Sequence, residues 1–554
     1  MKVDCDIVVA GGSTASLAAA ITAAEAATNV TVCFTEITDW PGGQMTAGGV
    51  PAIDFGGAGT MGIPGNADNA NQPRSFASAM ASIPGTGAAW TTTQGSGSPG
   101  ACSVSRKCYS PQALVQGWVM PRLSALPNLQ VFLRSAVIRT ARSPVDGRLS
   151  SISIVQREPK ADGPPEWSQR LSHELHDWFS TDESAAYRKR LVELFGKVFI
   201  EATELGDVLA TSGLPFLQGV ETPHETSPTS LSTCGQAATL TFFAELRGSH
   251  LPPPSPPSPP VPHGDAEGHP WTRNLTDAEF RHTWTWRRSW CNSDTHRSLA
   301  SVNVGDVTQQ NLGNDLDSAY LLLPTDAVRA EAKAGWRGGV NTTALYMLEQ
   351  RAYGWLRLMQ SSAAALNHSW SGRVVLNRST SGTRHGLSKF PYLRDTRRAV
   401  GVDGFRLLHA ALRDTKGRTG VRFADSVALG EYNDDTHHLK NSSHGVDWIC
   451  TYPKYIQGAG EGAKPYYIPM RALMVGGAPN LLVAGKTMAQ SFHANSNTRT
   501  HPSEWSSGVA AGGIAALLVG RGWTNTSDAL AHITDVRAFL NSSAVGQPLE
   551  WSHL

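Results

Sequence analysis

The sequence predicts an α/β protein whose main domain is written in two separate stretches of chain. Three observations point there. The chain opens on a buried strand, a tight small-residue turn, an Ala-rich helix and a second strand. Near the C-terminus a compact apolar strand and a helix of small residues return. Between these stretches lies a long middle region with aromatic-rich helices and no βα rhythm. The expected organisation is residues 1–210 for the first part of the main domain, 211–465 for an inserted α+β domain, and 466–554 for the return and the C-terminal helices.

Taken in order, Cys5 to Ala10 reads as a buried strand, Leu17 to Ala27 as a helix and Val30 to Thr35 as a second strand. Residues 56–100 hold many Gly, Ala, Ser, Thr and Asn with little periodicity and read as a wrapping loop. Ser110 to Leu126 has a helical pattern with Pro111 suited to a first helical position. Strands are expected at Gln130 to Leu133, Ser151 to Val155 and Lys197 to Glu201, and a helix at Tyr187 to Phe195, so that βα alternation continues to about residue 210. In the middle region Ala344 to Leu358 is helical, and 252–262 is a Pro-rich insertion favouring extended backbone. Asn480 to Gly485 carries the returning strand, and Pro502 to Val519 the closing helix.

Composition narrows the function. With 40% hydrophobic and 17% charged residues the chain is too apolar to be disordered, and a net charge of +1 offers no broad field for nucleic acid or an acidic membrane. No apolar run reaches the length of a spanning helix, so no membrane partner is expected. The seven cysteines exclude a cysteine-built scaffold. Cys102 and Cys108 are close enough in sequence to pair, but a reduced state is favoured because Cys5 and Cys33 fall in predicted buried strands. Met1 to Asp4 leads directly into a strand, so the sequence as given reads as cytoplasmic; eight Asn-x-Ser/Thr sequons weakly favour a secretory alternative if a leader is missing. Oligomeric state is not legible.

The opening unit has the chemistry of a dinucleotide site. A strand, a turn and a helix aim unpaired backbone N–H groups and the positive helix end at a pyrophosphate, and an acid about 20 residues on accepts ribose hydroxyls. Gly11, Gly12, Ser13, Thr14 and Ala15 form the turn, Glu36 is the acid, and Gly42, Gly43 and Gln44 open a loop where a cofactor needs covering. Ser13 and Ser16 stand where the G-x-G-x-x-G form has glycine, and they read as tolerated departures: Ser13→Gly should preserve or tighten binding and Ser16→Gly should be nearly neutral. FAD is preferred to NAD because the long intervening region and the returning Ala484-Gly485 segment suit an extended cofactor.

Asp6 to Ser16, Gly42 to Gly49, Glu201 to Asp207, Pro391 to Arg398, Tyr467 to Leu473 and Asn480 to Gly485 together resemble the FAD-dependent oxidoreductase family related to glutathione-reductase-type flavoproteins. The resemblance implies a Rossmann-like FAD-binding domain, non-covalent FAD, an inserted substrate domain, and Glu204 and Asp207 among the cofactor-binding residues. It implies no particular substrate.

Flavin chemistry asks the protein to position, deprotonate and stabilise charge. The segment Gln490 to Glu504 is dense in titratable groups, between the returning strand and its helix. His493 is the first candidate for general base or acid, His501 the second, and Arg499 the candidate to anchor an acidic group, stabilise reduced flavin or pair with Glu504. Tyr392, Arg394, Arg397 and Arg398 form a second polar cluster, neighbours on one face only if helical. Asn433 to His438 looks like metal ligands but reads as an exposed loop, Cys234 as an inert buried cysteine, and Tyr466 and Tyr467 as packing residues. The expected activity is a dehydrogenase or oxidase transferring a hydride from a small organic substrate to FAD, with oxygen or another electron acceptor downstream. The alternatives are a flavin monooxygenase, for which no second nucleotide fingerprint is visible, and a flavin-binding protein without turnover.

Overall fold

The computed structural model describes residues 1–55, 71–83, 102–105, 107–249, 275–292, 301–311, 313–413, 417–441, 447–448, 450 and 464–552. Its centre is a parallel five-stranded sheet in the order Leu481–Val483, Val198–Glu201, Ile7–Ala10, Val32–Thr35, Leu129–Phe132. Val8 faces Cys33 on one side and Phe199 on the other, and Leu482 faces Ile200. Continuous apolar runs such as Ile7-Val8-Val9 suit strands covered on both faces. The returning strand thus completes a sheet begun more than 470 residues earlier in the chain, as the sequence predicted.

The first helix, Thr14–Ala26, lies against the long C-terminal helix, His501–Arg521. Small residues set how closely they approach. A Cβ on Gly508 would stand 2.2 Å from the Ala15 carbonyl oxygen, and one on Gly512 2.3 Å from that of Ala19. Backbone atoms cannot swing aside as a flexible side chain can. Gly508→Ala is therefore expected to destabilise the protein by about 2 kcal/mol even after the roughly 1 kcal/mol gain in helix propensity, read from the denaturation midpoint. An unchanged midpoint would show that the helices can separate freely.

A second sheet departs from the sequence reading. Tyr187–Phe195, expected as a helix, is a strand pairing antiparallel with Leu149–Pro159, which in turn pairs with Ser135–Arg142; Lys2–Asp4 joins as the parallel edge. Leu191 is 49% exposed while Val192 and Leu194 are buried. Alternation and strand pairing override the helical spacing here. The run to residue 210 is therefore an antiparallel meander set into a βα frame. Arg74–Ala81 is helical within the stretch read as loop, and the Pro-rich insertion lies outside the described residues.

The middle region shares a second core with the first stretch of chain, where Trp167, Leu171, Trp178 and Tyr187 join it. Arg288–Trp290, Val307–Gln310, Phe242–Leu246 and Val374–Leu376 form an antiparallel sheet, and the helix Thr342–Ser361 buries Leu345, Leu348, Ala352 and Met359 beside it. Three disulfides correct the expectation of reduced cysteines: Cys5–Cys33 ties the first two buried strand regions, Cys102–Cys108 closes a short loop, and Cys234–Cys450 spans the middle region. Burial in strands did not prevent pairing, because the Cys5 and Cys33 Cα atoms lie 6.0 Å apart, within disulfide reach.

Candidate active site

The turn after the first strand is built by backbone fit. A Cβ on Gly11 would meet the Thr35 carbonyl oxygen at 2.2 Å, so only glycine lets the turn pass the second strand. Gly43, at φ +56°, presses on the turn from the other side, where a Cβ would lie 2.6 Å from Ser13 Cα. Thr14 Oγ1 donates to the Gly42 carbonyl at 2.8 Å, tying the two segments.

Ser13 and Ser16 are built into the hydrogen bonding of this turn. Ser13 caps the first helix in a reciprocal capping box with Ser16, and its hydroxyl donates to the Ala202 carbonyl at 2.7 Å. Ser16 Oγ accepts from the N–H groups of Gly12 and Ser13 at 3.1 and 3.2 Å. In place of the near-neutral expectation, Ser16→Gly or Ser16→Ala, which orphans two buried donors, should cost about 1–2 kcal/mol and weaken FAD roughly tenfold. Fluorescence titration beside a thermal melt checks this, and equal affinity would return Ser16 to a tolerated departure.

Past the second strand, Glu36 is fully buried. Its Oε1 accepts from Thr38 N–H at 3.0 Å and Thr38 Oγ1 at 2.9 Å, while Oε2 has no hydrogen-bond partner. Burial pushes this carboxyl up to about 8, with Glu204 and Asp39 adding repulsion. Glu204 sits beside Gly12, and its carboxylate pairs with Lys486 at 2.9 Å. Asp207 instead accepts from the Trp336 indole at 2.7 Å, and burial raises it to about 7.

At the end of the returning strand, Ala484 leads to Gly485 at φ +65°, where a Cβ would lie 2.9 Å from Ala15 Cβ. Lys486 follows, buried between Glu204 and Glu504, the latter at 3.1 Å. Gln44 Nε2 donates to Glu504 Oε2 at 2.9 Å and to the Arg499 carbonyl at 2.7 Å. One ion cluster thereby locks the covering loop, the returning strand and the start of the C-terminal helix. Sequence reasoning missed Lys486; its signal is a lone cation between Val483-Ala484-Gly485 and Met488-Ala489.

Arg499 joins the two polar clusters that the sequence kept apart. Its Nη1 donates to Tyr392 Oη at 2.5 Å, its Nη2 to the Asp435 carboxylate and carbonyl at 2.8 Å, and its Nε has no hydrogen-bond partner. Burial opposes its charge, but Tyr392, Asp435, Tyr432 and Asp54 hold it protonated. The pairing with Glu504 considered from sequence is absent among the described residues, because Glu504 serves Lys486. Arg394, Arg397 and Arg398 are not on one helical face: Arg394 pairs with Asp315, Arg397 donates to the carbonyls of Leu205 and Gly339, and Arg398 pairs with Glu221.

The two histidines take different places. His501 Nε2 donates to the Val50 carbonyl at 2.9 Å, while Nδ1 faces Asp54 N–H at 3.4 Å and Asp54 Oδ2 at 3.7 Å. Burial pushes His501 down to about 3. His493 Nε2 meets Asp434 Oδ2 at 2.5 Å. Asp434 is buried, so the exposed-loop reading of Asn433 to His438 does not hold there. Tyr466 packs in the core as expected, its hydroxyl on the Asn497 carbonyl and Ser503.

A family model described as FAD dependent oxidoreductase matches residues 6–162 and 183–539. The chain belongs to this FAD-dependent oxidoreductase family. No curated protein matches it. Among solved structures it is similar to an E. coli quinol fumarate reductase at 12% identity, covering 98% of this chain and 75% of that one with a TM-score of 0.29. It is also similar to L-proline dehydrogenase from P. horikoshii at 12% identity and a TM-score of 0.16, covering 40% of this chain and only 24% of that one. The p-nitrophenol 4-monooxygenase PnpA from Pseudomonas putida is 14% identical, with 44% and 47% covered and a TM-score of 0.21. FAD is accordingly the cofactor of this family member.

The residues present fit FAD. The N–H groups of Thr14 and Ala15, at the start of the first helix, have no hydrogen-bond partner among the described residues, as an anion site requires. Glu36 offers a buried carboxyl oxygen without a partner for a ribose hydroxyl. Gly11 and Gly43 let the turn pack directly against the second strand and the Gly42–Gln44 loop. The described residues contain no helix long and apolar enough to cross a membrane.

Proposed function

We propose that this FAD-dependent oxidoreductase oxidises a small organic molecule bearing an anionic or carbonyl oxygen, which Arg499 anchors. The observation that carries the reading is the buried Arg499 guanidinium, whose Nε has no hydrogen-bond partner beside the Gln44 loop and the start of the C-terminal helix. A desolvated, permanently charged donor of this kind recognises a carboxylate or polarises a carbonyl. FAD, when bound, supplies a two-electron acceptor for the substrate's hydride.

The chain's own residues handle position and proton. Asp435 and Tyr392 fix the guanidinium plane. His501, neutral and with Nε2–H committed to Val50, takes the substrate proton on Nδ1 by giving up its 3.4 Å contact from Asp54 N–H, with Asp54 Oδ2 at 3.7 Å offsetting the burial that disfavours the imidazolium. His493 is engaged by Asp434, which favours His501 for this task.

Anaerobic mixing with a panel of small hydroxy, amino and unsaturated acids, followed by flavin bleaching, tests the reading. His501→Ala should retain FAD and slow bleaching by roughly 100-fold. Equal rates in wild type and His501→Ala would remove the base assignment, and a loss confined to His493→Ala would transfer it. Absence of bleaching by any acid, with bleaching by an uncharged substrate unaffected in Arg499→Gln, would overturn the anchoring role.

An oxidising compartment is also proposed, supported by the three disulfides and by exposed sequon residues Asn29, Asn367 and Asn541. Denaturation without reductant should then leave one alkylatable cysteine, Cys291, and reduction should expose all seven. Several alkylatable thiols in freshly isolated protein would defeat this.

A further inference from the structure

Three side chains from separate elements converge beside the Arg499 wall without a part in the reaction described above. His409 begins the short helix His409–Leu412, Asp434 follows the strand Ser426–Tyr432, and His493 lies in the helix Phe492–Thr498. All are buried, and each offers a nitrogen or oxygen within 4.8 Å of the others. The imidazole rings are stacked with centroids 3.6 Å apart. Both Nε2 atoms face the same oxygen: His493 stands 2.5 Å and His409 3.7 Å from Asp434 Oδ2. Ser496 Oγ donates to the other oxygen, Oδ1, at 2.9 Å and fixes the carboxylate plane.

A hydrogen-bonded cluster explains only half of this arrangement. One proton satisfies the His493–Asp434 contact, but His409 Nε2 then points at an occupied carboxylate oxygen and has no hydrogen-bond partner, although the residue is only 6% exposed. A buried imidazole nitrogen without a partner is costly. A cation shared by all three atoms satisfies both rings. The His409–Asp434 separation of 3.7 Å is close to the about 3.3 Å between two ligands on a tetrahedral zinc ion, and the 2.5 Å His493–Asp434 hydrogen bond opens by roughly 0.8 Å when the ion replaces its proton.

We propose that His409, Asp434 and His493 form a binding site for one divalent transition-metal cation of the zinc type. Two imidazole nitrogens and one carboxylate oxygen suit such an ion, whereas magnesium and calcium prefer oxygen alone. Ser496 orients the carboxylate from the second layer, as metal-bound carboxylates require. Glu225, whose Oε1 accepts from Ser491 Oγ at 2.5 Å and from His409 N–H, supplies a further negative charge facing His493. Water completes the coordination. The ion would clamp the residue next to Asp435, and through it the wall on which Arg499 rests. The inference does not rest on the proposed substrate reaction.

The test uses the full-length, FAD-loaded protein, dialysed against chelator and titrated with zinc alone, with bound zinc measured by elemental analysis and its environment by X-ray absorption at the zinc edge. The expected result is one zinc per chain with imidazole scattering in the first shell. His409→Ala and Asp434→Asn should each weaken zinc at least 100-fold while flavin content, recorded separately, reports on folding. Clearly substoichiometric zinc in the wild type would overturn the site, as would equal affinity in both variants. If the variants fail to fold, the wild-type edge spectrum decides alone, because a shell without imidazole excludes these ligands.

Discussion

Replacing Lys486 by methionine is expected to cost about 3–5 kcal/mol and to release FAD, because it leaves Glu204 and Glu504 as uncompensated buried carboxylates. The effect reaches beyond one ion pair. Gln44 hangs on Glu504, so the covering loop loses its tether when the cluster repels itself. Acid should rescue the variant. Even with the lysine present, burial pushes Glu204 up to about 7, with Lys486 acting against that rise. Without the lysine the Glu204 carboxyl is raised further, so the fold binds more protons than the unfolded chain does, and stability gained at low pH is lost as pH rises. Thermal melts across pH 5 to 8 should show a falling midpoint for Lys486→Met and a flatter profile for wild type. The triple variant Lys486→Met, Glu204→Gln, Glu504→Gln should recover much of the loss. A single variant melting within about 2 °C of wild type at neutral pH would mean that the cluster holds nothing in place.

The same cluster shows where sequence reading stops. The parallel sheet, its two-part layout and the Gly11–Glu36 geometry were legible because they rest on local patterns: apolar runs, a small-residue turn, an acid at the right distance. Ser13 and Ser16 were legible as departures, but not as partners, since a reciprocal cap depends on backbone angles that spacing alone does not fix. Tyr187–Phe195 misled because its apolar residues satisfy a helical spacing, and only the neighbouring strand decides the matter. Lys486 and Asp54 were invisible because their roles come from residues distant in sequence. The cysteines failed for a related reason: burial of Cys5 and Cys33 was read correctly, but their distance across adjacent strands was not available.

Glu36 gives the second large expected effect, a pH dependence of FAD affinity. Its carboxyl is pushed from an ordinary 4.5 up to about 8, chiefly by burial, so in the free protein it is protonated at neutral pH. The sign for folding follows directly: below 4.5 both folded and unfolded chains hold the proton, and from there to about 8 the unfolded chain gains stability by releasing it, so the free protein weakens as pH rises and then levels off. Cofactor binding runs the other way. A ribose hydroxyl donates to the carboxylate, and the unpartnered Oε2 is the oxygen ready to accept it. Binding then favours release of the proton, and affinity should rise with pH toward about 8, approaching tenfold per unit at its steepest. Glu36→Gln keeps the shape of the side chain but cannot ionise; it should bind FAD more weakly at pH 8, by roughly 10- to 100-fold, and lose this part of the slope. Glu204 and Asp39 also face Glu36, so some dependence should survive in the variant. Titrations with FAD at several pH values, with calorimetry in two buffers of different ionisation enthalpy, measure both affinity and proton release. Identical slopes for wild type and Glu36→Gln would show that this carboxyl does not meet the ribose, and the assignment of Glu36 would fall while the turn at Gly11 to Ala15 could still hold the pyrophosphate.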